Sequence, residues 1–157
     1  MNEELQKLKE EFEQRIRELE DKYNPEEEWP KEGDEYWVID GFGDVNNFFW
    51  RDDPVDNIAL KNNAIFKTKE EAEFETERLK VLRELEKLGR PFVLNESNWS
   101  LFLNGEHELE VHSNRHYNEK YGSYYFDTEE QLNKAIDKIG EDRIKKYLFG
   151  VNEGDSE

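Results

Sequence analysis

The sequence has no cysteine, which excludes a disulfide, a thiolate zinc site and a cysteine nucleophile together. It also lacks a glycine-rich loop of the phosphate-cradling kind and a serine in a Gly-x-Ser-x-Gly elbow. No apolar run approaches the length of a membrane span, and the chain is charged from Glu3 onward, so neither a signal peptide nor a spanning helix is expected. Basic residues are few: 22 Lys and Arg stand against 40 Asp and Glu, a net charge of −18 with no basic cluster. Phosphate neutralisation needs such a cluster, so direct binding to DNA or RNA is not expected.

Aromatic residues are present in quantity. They make up 13% of the chain, including Trp29, Trp37, Trp50 and Trp99, although charged residues (39%) outnumber hydrophobic ones (34%). A modest aromatic core carrying charged extensions fits that balance. The acidity is patterned: the first 35 residues hold fourteen acids and six bases, a net of −8, whereas Lys69–Leu88 is close to neutral.

Leu5, Leu8, Phe12, Ile16, Leu19 and Tyr23 are spaced three, four, four, three and four apart, with Glu, Lys and Arg between them. This spacing predicts one amphipathic helix over residues 1–24, with a four-residue step in the middle that departs from a heptad as a stutter would. A stripe of this length is expected either to pair with a second copy, as a coiled-coil homodimer, or to lie on the body of the protein. Asn24-Pro25 ends the helix and opens an acidic linker over 25–34.

The remainder reads as two strands-then-helix units in series, 35–90 and 91–151, before a disordered tail over 152–157. Each unit hands over at a threonine cap, Thr68 followed by Glu71 and Thr128 followed by Gln131. In the first unit, Glu35–Asp40 and Val45–Trp50 form a hairpin turned by Gly41-Phe42-Gly43-Asp44. Arg51–Pro54 reads as loop, Ala64–Phe66 as a short third strand, and a helix buries Ala72, Phe74, Val81, Leu82, Leu85 and Leu88. The second unit offers Pro91–Leu94, Trp99–Leu103, an Asn104-Gly105 turn and a returning strand over Glu106–His112. A helix burying Leu132, Ala135, Ile136 and Ile139 follows, then a last short helix. The fold class is α+β: an N-terminal amphipathic helix followed by two small antiparallel-sheet-plus-helix units.

Asp40, Asp44, Asp52, Asp53 and Asp56 crowd round one hairpin and its exit, where hard cations could find oxygens, but their spacing does not match a calcium loop and Asp is an ordinary turn residue. His112 and His116 follow a strand and lack an evident third ligand, so exposed loop histidines are the reading. With 40 carboxylates any chosen acid pair is uninformative. No metal, cofactor or enzymatic activity is expected. Adjacent aromatics such as Phe48-Phe49-Trp50 and Tyr124-Tyr125 must point to opposite sheet faces, and the outward rings are expected to lie under the N-terminal helix, the alternative being a binding surface.

Three segments carry a resemblance: Tyr36-Trp37-Val38-Ile39-Asp40 with Gly43-Asp44-Val45, Phe66–Glu73 with Leu79–Leu82, and Ile139–Tyr147 with Phe149-Gly150-Val151. Together they resemble a family of uncharacterised proteins encoded by phages, prophages and conjugative elements of Gram-positive bacteria. The resemblance implies a small accessory protein of a mobile element in the bacterial cytoplasm, and carries over no functional residue. Combined with the charge, it leads to the expectation of a non-enzymatic acidic protein that inhibits or modulates a host protein with a basic surface, including one that handles nucleic acid or serves defence. Glu26, Glu27, Glu28, Asp40, Asp44, Asp52, Asp53 and Asp56 are the expected contact residues, with Trp50 as an anchor. The alternatives are a self-associating assembly protein built on the N-terminal helix and a metal-dependent hydrolase built on the Asp40–Asp56 cluster.

Overall fold

The computed structural model describes residues 3–23, 29–118 and 122–152. The element order is α1 (Glu3–Tyr23), β1 (Glu35–Ile39), β2 (Val45–Phe49), α2 (Pro54–Lys61), α3 (Lys69–Leu88), β3 (Asn98–Leu103), β4 (Leu109–Asn114), α4 (Glu129–Ile139) and α5 (Glu141–Phe149). Strands β1 and β2 form one two-stranded sheet and β3 and β4 another. The α+β class with an N-terminal helix and two small antiparallel sheets is therefore the observed architecture. No helix among the described residues is long and apolar enough to cross a membrane.

Two compact units divide the chain, one comprising residues 1–36 and 47–65, the other 37–46 and 66–157. This is not the expected division at residue 90. Helix α3 belongs with the second half because Val81 and Leu85 enter the same core as Phe126, Leu132, Ala135, Ile139 and Ile144. A stripe on α3 must be covered by some partner, and the one that covers it is distant in sequence.

In the first unit, Tyr36 and Trp50 are buried, their rings meeting edge to face at 6.0 Å, with Phe48 stacked on Tyr36 at 5.9 Å. Residues 51–53 are loop as expected, but Pro54, expected to close it, begins helix α2 in a stretch where no element was expected. Asp53 is its N-cap, accepting from Asp56 N at 2.8 Å, and Pro54 starts its first turn. Its apolar residues Val55, Ile58 and Leu60 are exposed, so no buried stripe announced it in the sequence. Phe48 and Phe49 are 49% and 57% exposed, which corrects the expectation that such rings lie under the N-terminal helix.

In the second unit the threonine caps form as expected. Thr68 and Glu71 make the reciprocal capping box, and Thr128 Oγ1 accepts from Gln131 N at 3.2 Å. Strand β3 pairs with β4 from Asn98 opposite Asn114 to Leu103 opposite Leu109, and Trp99, Leu101, Leu109 and Val111 of one face pack on the core. Residues 64–66 and 91–94 are not strands. Phe66 makes an isolated bridge to Trp37, and Arg90 another to Tyr125. Between β3 and β4 the left-handed residue is His107, at φ 59, because Asn104 accepts from both Glu106 N and Glu108 N and makes the turn longer than Asn-Gly alone would. Gly89 is required by proximity: a Cβ there would lie 3.0 Å from the Leu85 and Tyr125 carbonyl oxygens.

Candidate functional site

Within the second unit, the β1–β2 turn is held by one side chain. Asp40 Oδ1 accepts from Phe42 N at 2.8 Å and Asp44 N at 2.9 Å, while Oδ2 accepts from Asn46 Nδ2 at 3.2 Å. The N–H of Asp44, then that of Phe42, hold the Asp40 carboxyl below its ordinary range. Gly43, at φ +89, supplies the left-handed step that lets the turn close, and Gly43 N donates to Asp40 O at 3.1 Å. The outcome is a pinned loop whose tip is Phe42, 95% exposed, next to the exposed Asp44. Gly43–Asn46 border an open cleft whose opposite wall includes Lys69, Glu73 and Glu77 of α3. Lys69 Nζ lies 3.6 Å from Glu73 Oε1, and Glu77 meets Lys80 Nζ at 2.6 Å and Arg143 Nη2 at 3.8 Å, so both glutamates of that wall are paired with cations.

The first unit holds the other expected contact residues, and two of them are inside it. Trp50 is 5% exposed and Asp56 4% exposed, which removes both from the surface as anchor and contact. Asp56 Oδ1 accepts from Tyr36 Oη at 2.5 Å and Oδ2 from Arg51 N at 2.7 Å, so its charge is held by two donors within the fold. Asp53 is occupied as the cap of α2. Asp52, at φ 56, is exposed and accepts from Asn57 Nδ2 at 3.0 Å. Of the aspartates expected to act together, three serve the backbone or the interior and only Asp44 and Asp52 stand exposed without a capping role. Glu26, Glu27 and Glu28 lie outside the described residues.

Helix α1 is the remaining candidate. Leu5, Leu8, Phe12, Ile16 and Leu19 are between 40% and 67% exposed, so the stripe expected to pair or to lie on the body has no cover among the described residues. The side chain of Tyr23 lies outside those described, as do residues 24–28 of the linker and 153–157 of the tail.

Among the described residues no group of three or more His, Cys, Asp or Glu side chains is placed to hold a metal ion. His112 sits on β4 and not in a loop, with its Nε2 3.1 Å from Glu110 Oε2 and its ring edge-on to Phe102 at 4.8 Å. Phe42 was not singled out by the sequence. An aromatic between two glycines in a turn was the available signal, because such a residue has no strand face or helix stripe to join. No family model, no curated protein and no solved structure matches this chain.

Proposed function

We propose that the chain is a non-enzymatic, acidic binding protein that engages a basic surface on another protein through the β1–β2 turn. The carrying observation is Phe42, 95% exposed at the tip of a turn pinned by Asp40. A rigid loop presents an aromatic ring at low entropic cost, and such rings are the usual anchors of interfaces. Beside it, the exposed Asp44 supplies charge that complements a basic partner, within a chain of net charge −18. The setting is that of the resemblance: a phage or other mobile element whose product modulates a host protein in the bacterial cytoplasm, including one that handles nucleic acid.

Capture from a Gram-positive host lysate at low and high salt tests this reading. A basic protein retained at low salt, released at high salt, and lost with Phe42→Ser/Asp44→Lys is the expected result. Capture that the double variant leaves unchanged overturns the assignment of the turn. A second reading, a structural protein that assembles through α1, is favoured by the exposed stripe of that helix.

A further inference from the structure

The apolar positions of α1 form two consecutive copies of one eleven-residue pattern. Leu5, Leu8 and Phe12 are followed, each eleven residues on, by Ile16, Leu19 and Tyr23. What looks like a stutter in a heptad is thus the regular step of an eleven-residue repeat. That repeat completes three turns at about 3.67 residues per turn, close to the natural period, so its stripe runs nearly straight along the helix with a slight right-handed drift. The described side chains of the stripe are exposed from Leu5 to Leu19, about 21 Å along the helix.

We infer that α1 pairs with α1 of a second copy, parallel and in register, as a nearly straight two-helix interface. Charge complementarity selects both the occupant and the direction. On one flank of the stripe stand Glu4 and Arg15, each one residue before the first apolar position of its repeat. On the other stand Lys9 and Glu20, each one residue after the second. In a parallel pair the first flank of one helix meets the second flank of its partner about five residues further on. Glu4 then meets Lys9 and Arg15 meets Glu20, twice each by symmetry, with Glu11 and Glu13 beside Phe12 as the one like-charged meeting. In an antiparallel pair each flank meets itself, and although Arg15 then faces Glu11, the two copies of Glu13 approach one another at the centre and Lys9 approaches Arg17.

Arg15 lies 3.7 Å from Glu18 of its own helix in a highly exposed geometry, a weak pair that exchange with Glu20 of a partner can replace. The twelve large apolar side chains of two stripes would cover on the order of 1,000 Å² or more, the scale of specific interfaces. This pairing is independent of the partner proposed for the β1–β2 turn, and either can fail without the other.

The full chain tests it by mass in solution and by crosslinking. The expected mass is twice the 19.0 kDa of one chain, reduced to one chain by Phe12→Asp with the thermal transition of the body retained. Because the sequence has no cysteine, Leu8→Cys places one thiol per chain, and oxidation joins two copies only if the helices are parallel and in register. Arg15→Glu weakens the dimer by roughly fivefold, as expected for two exposed ion pairs lost, and Arg15→Glu/Glu20→Arg restores it. A single-chain mass at tens of micromolar overturns the pairing. A dimer that Leu8→Cys does not join, or that the double reversal does not restore, overturns its direction.

Discussion

Tyr36 Oη donates to Asp56 Oδ1 at 2.5 Å, and both residues are almost wholly buried. Twenty residues separate them, so this bond ties β1 to α2 within the first unit. Tyr36→Phe keeps the ring and removes the donor, leaving a buried carboxylate with one fewer partner. The expected cost is about 1.5–3 kcal/mol, the range for a hydrogen bond to a charged group. Thermal or urea unfolding followed by tryptophan fluorescence measures it, and an unchanged midpoint would show that the bond contributes nothing net.

The same pair makes stability depend on pH at both extremes. Burial first, and then the bond to Asp56, push the Tyr36 hydroxyl from its usual 10.0 up to about 12. Between those values the folded chain keeps a proton that the unfolded chain has released, so this contribution is complete below pH 10 and is lost as pH rises towards 12. Asp56 behaves in the opposite sense. The Tyr36 hydroxyl and then Arg51 N–H hold its carboxyl below the usual 3.8, so its contribution is complete above that value and is lost as pH falls through the folded one. Tyrosinate absorbance should contain a late step that Tyr36→Phe removes, and unfolding midpoints should fall on both sides of the neutral plateau.

A second buried polar residue, Asn98, organises the approach to β3. Its Nδ2 donates to Val93 O, Glu96 O and Asn114 O, each at 2.9 Å, while Oδ1 accepts from Val93 N at 3.0 Å and Arg90 Nη1 at 2.8 Å. Arg90 continues the network through Nη2 to Ser97 O and Nε to Asp127 Oδ1, both at 2.7 Å. Asn98→Ala strands several of these groups and is expected to destabilise the second unit by about 2–4 kcal/mol. Asn98→Asp places a carboxylate where three carbonyls converge and should cost more. Equilibrium denaturation of the two variants gives that order or contradicts it.

The threonine caps offer a smaller effect. Thr68→Ala and Thr128→Ala each remove a side-chain acceptor from the first turn of a helix and should cost about 1 kcal/mol. Thr68 is expected to be the costlier, because Glu71 reaches back to Lys67 N and Thr68 N and loses its reciprocal partner. Urea midpoints compared at equal slope check both values.

The residues that were readable in the sequence are those whose signals lie within a few positions of one another. The helices beginning after Thr68 and Thr128, the buried residues Leu132, Ala135 and Ile139, and the alternation of Leu109 and Val111 all follow from local caps and periodicity. Helix α2 was hidden because its eight residues bury no apolar stripe and its start, Asp53-Pro54, also reads as a loop. The acidic site was misread for a related reason. Asp40, Asp53 and Asp56 are the residue type that caps turns and helices, and three carboxylates that look alike in sequence were assigned by the fold to a turn, a cap and an interior tyrosine.

By itself the sequence determined the α+β class, the caps, the repeat of α1 and the excess of acid, since each depends on neighbours along the chain or on composition. Only the tertiary structure decided that Trp50 and Asp56 lie inside, that Phe42 stands outside, and that α3 shares its core with α4 and α5. Burial is a property of what packs against a side chain, and the elements that pack together here are separated by up to dozens of residues, beyond the reach of any local pattern.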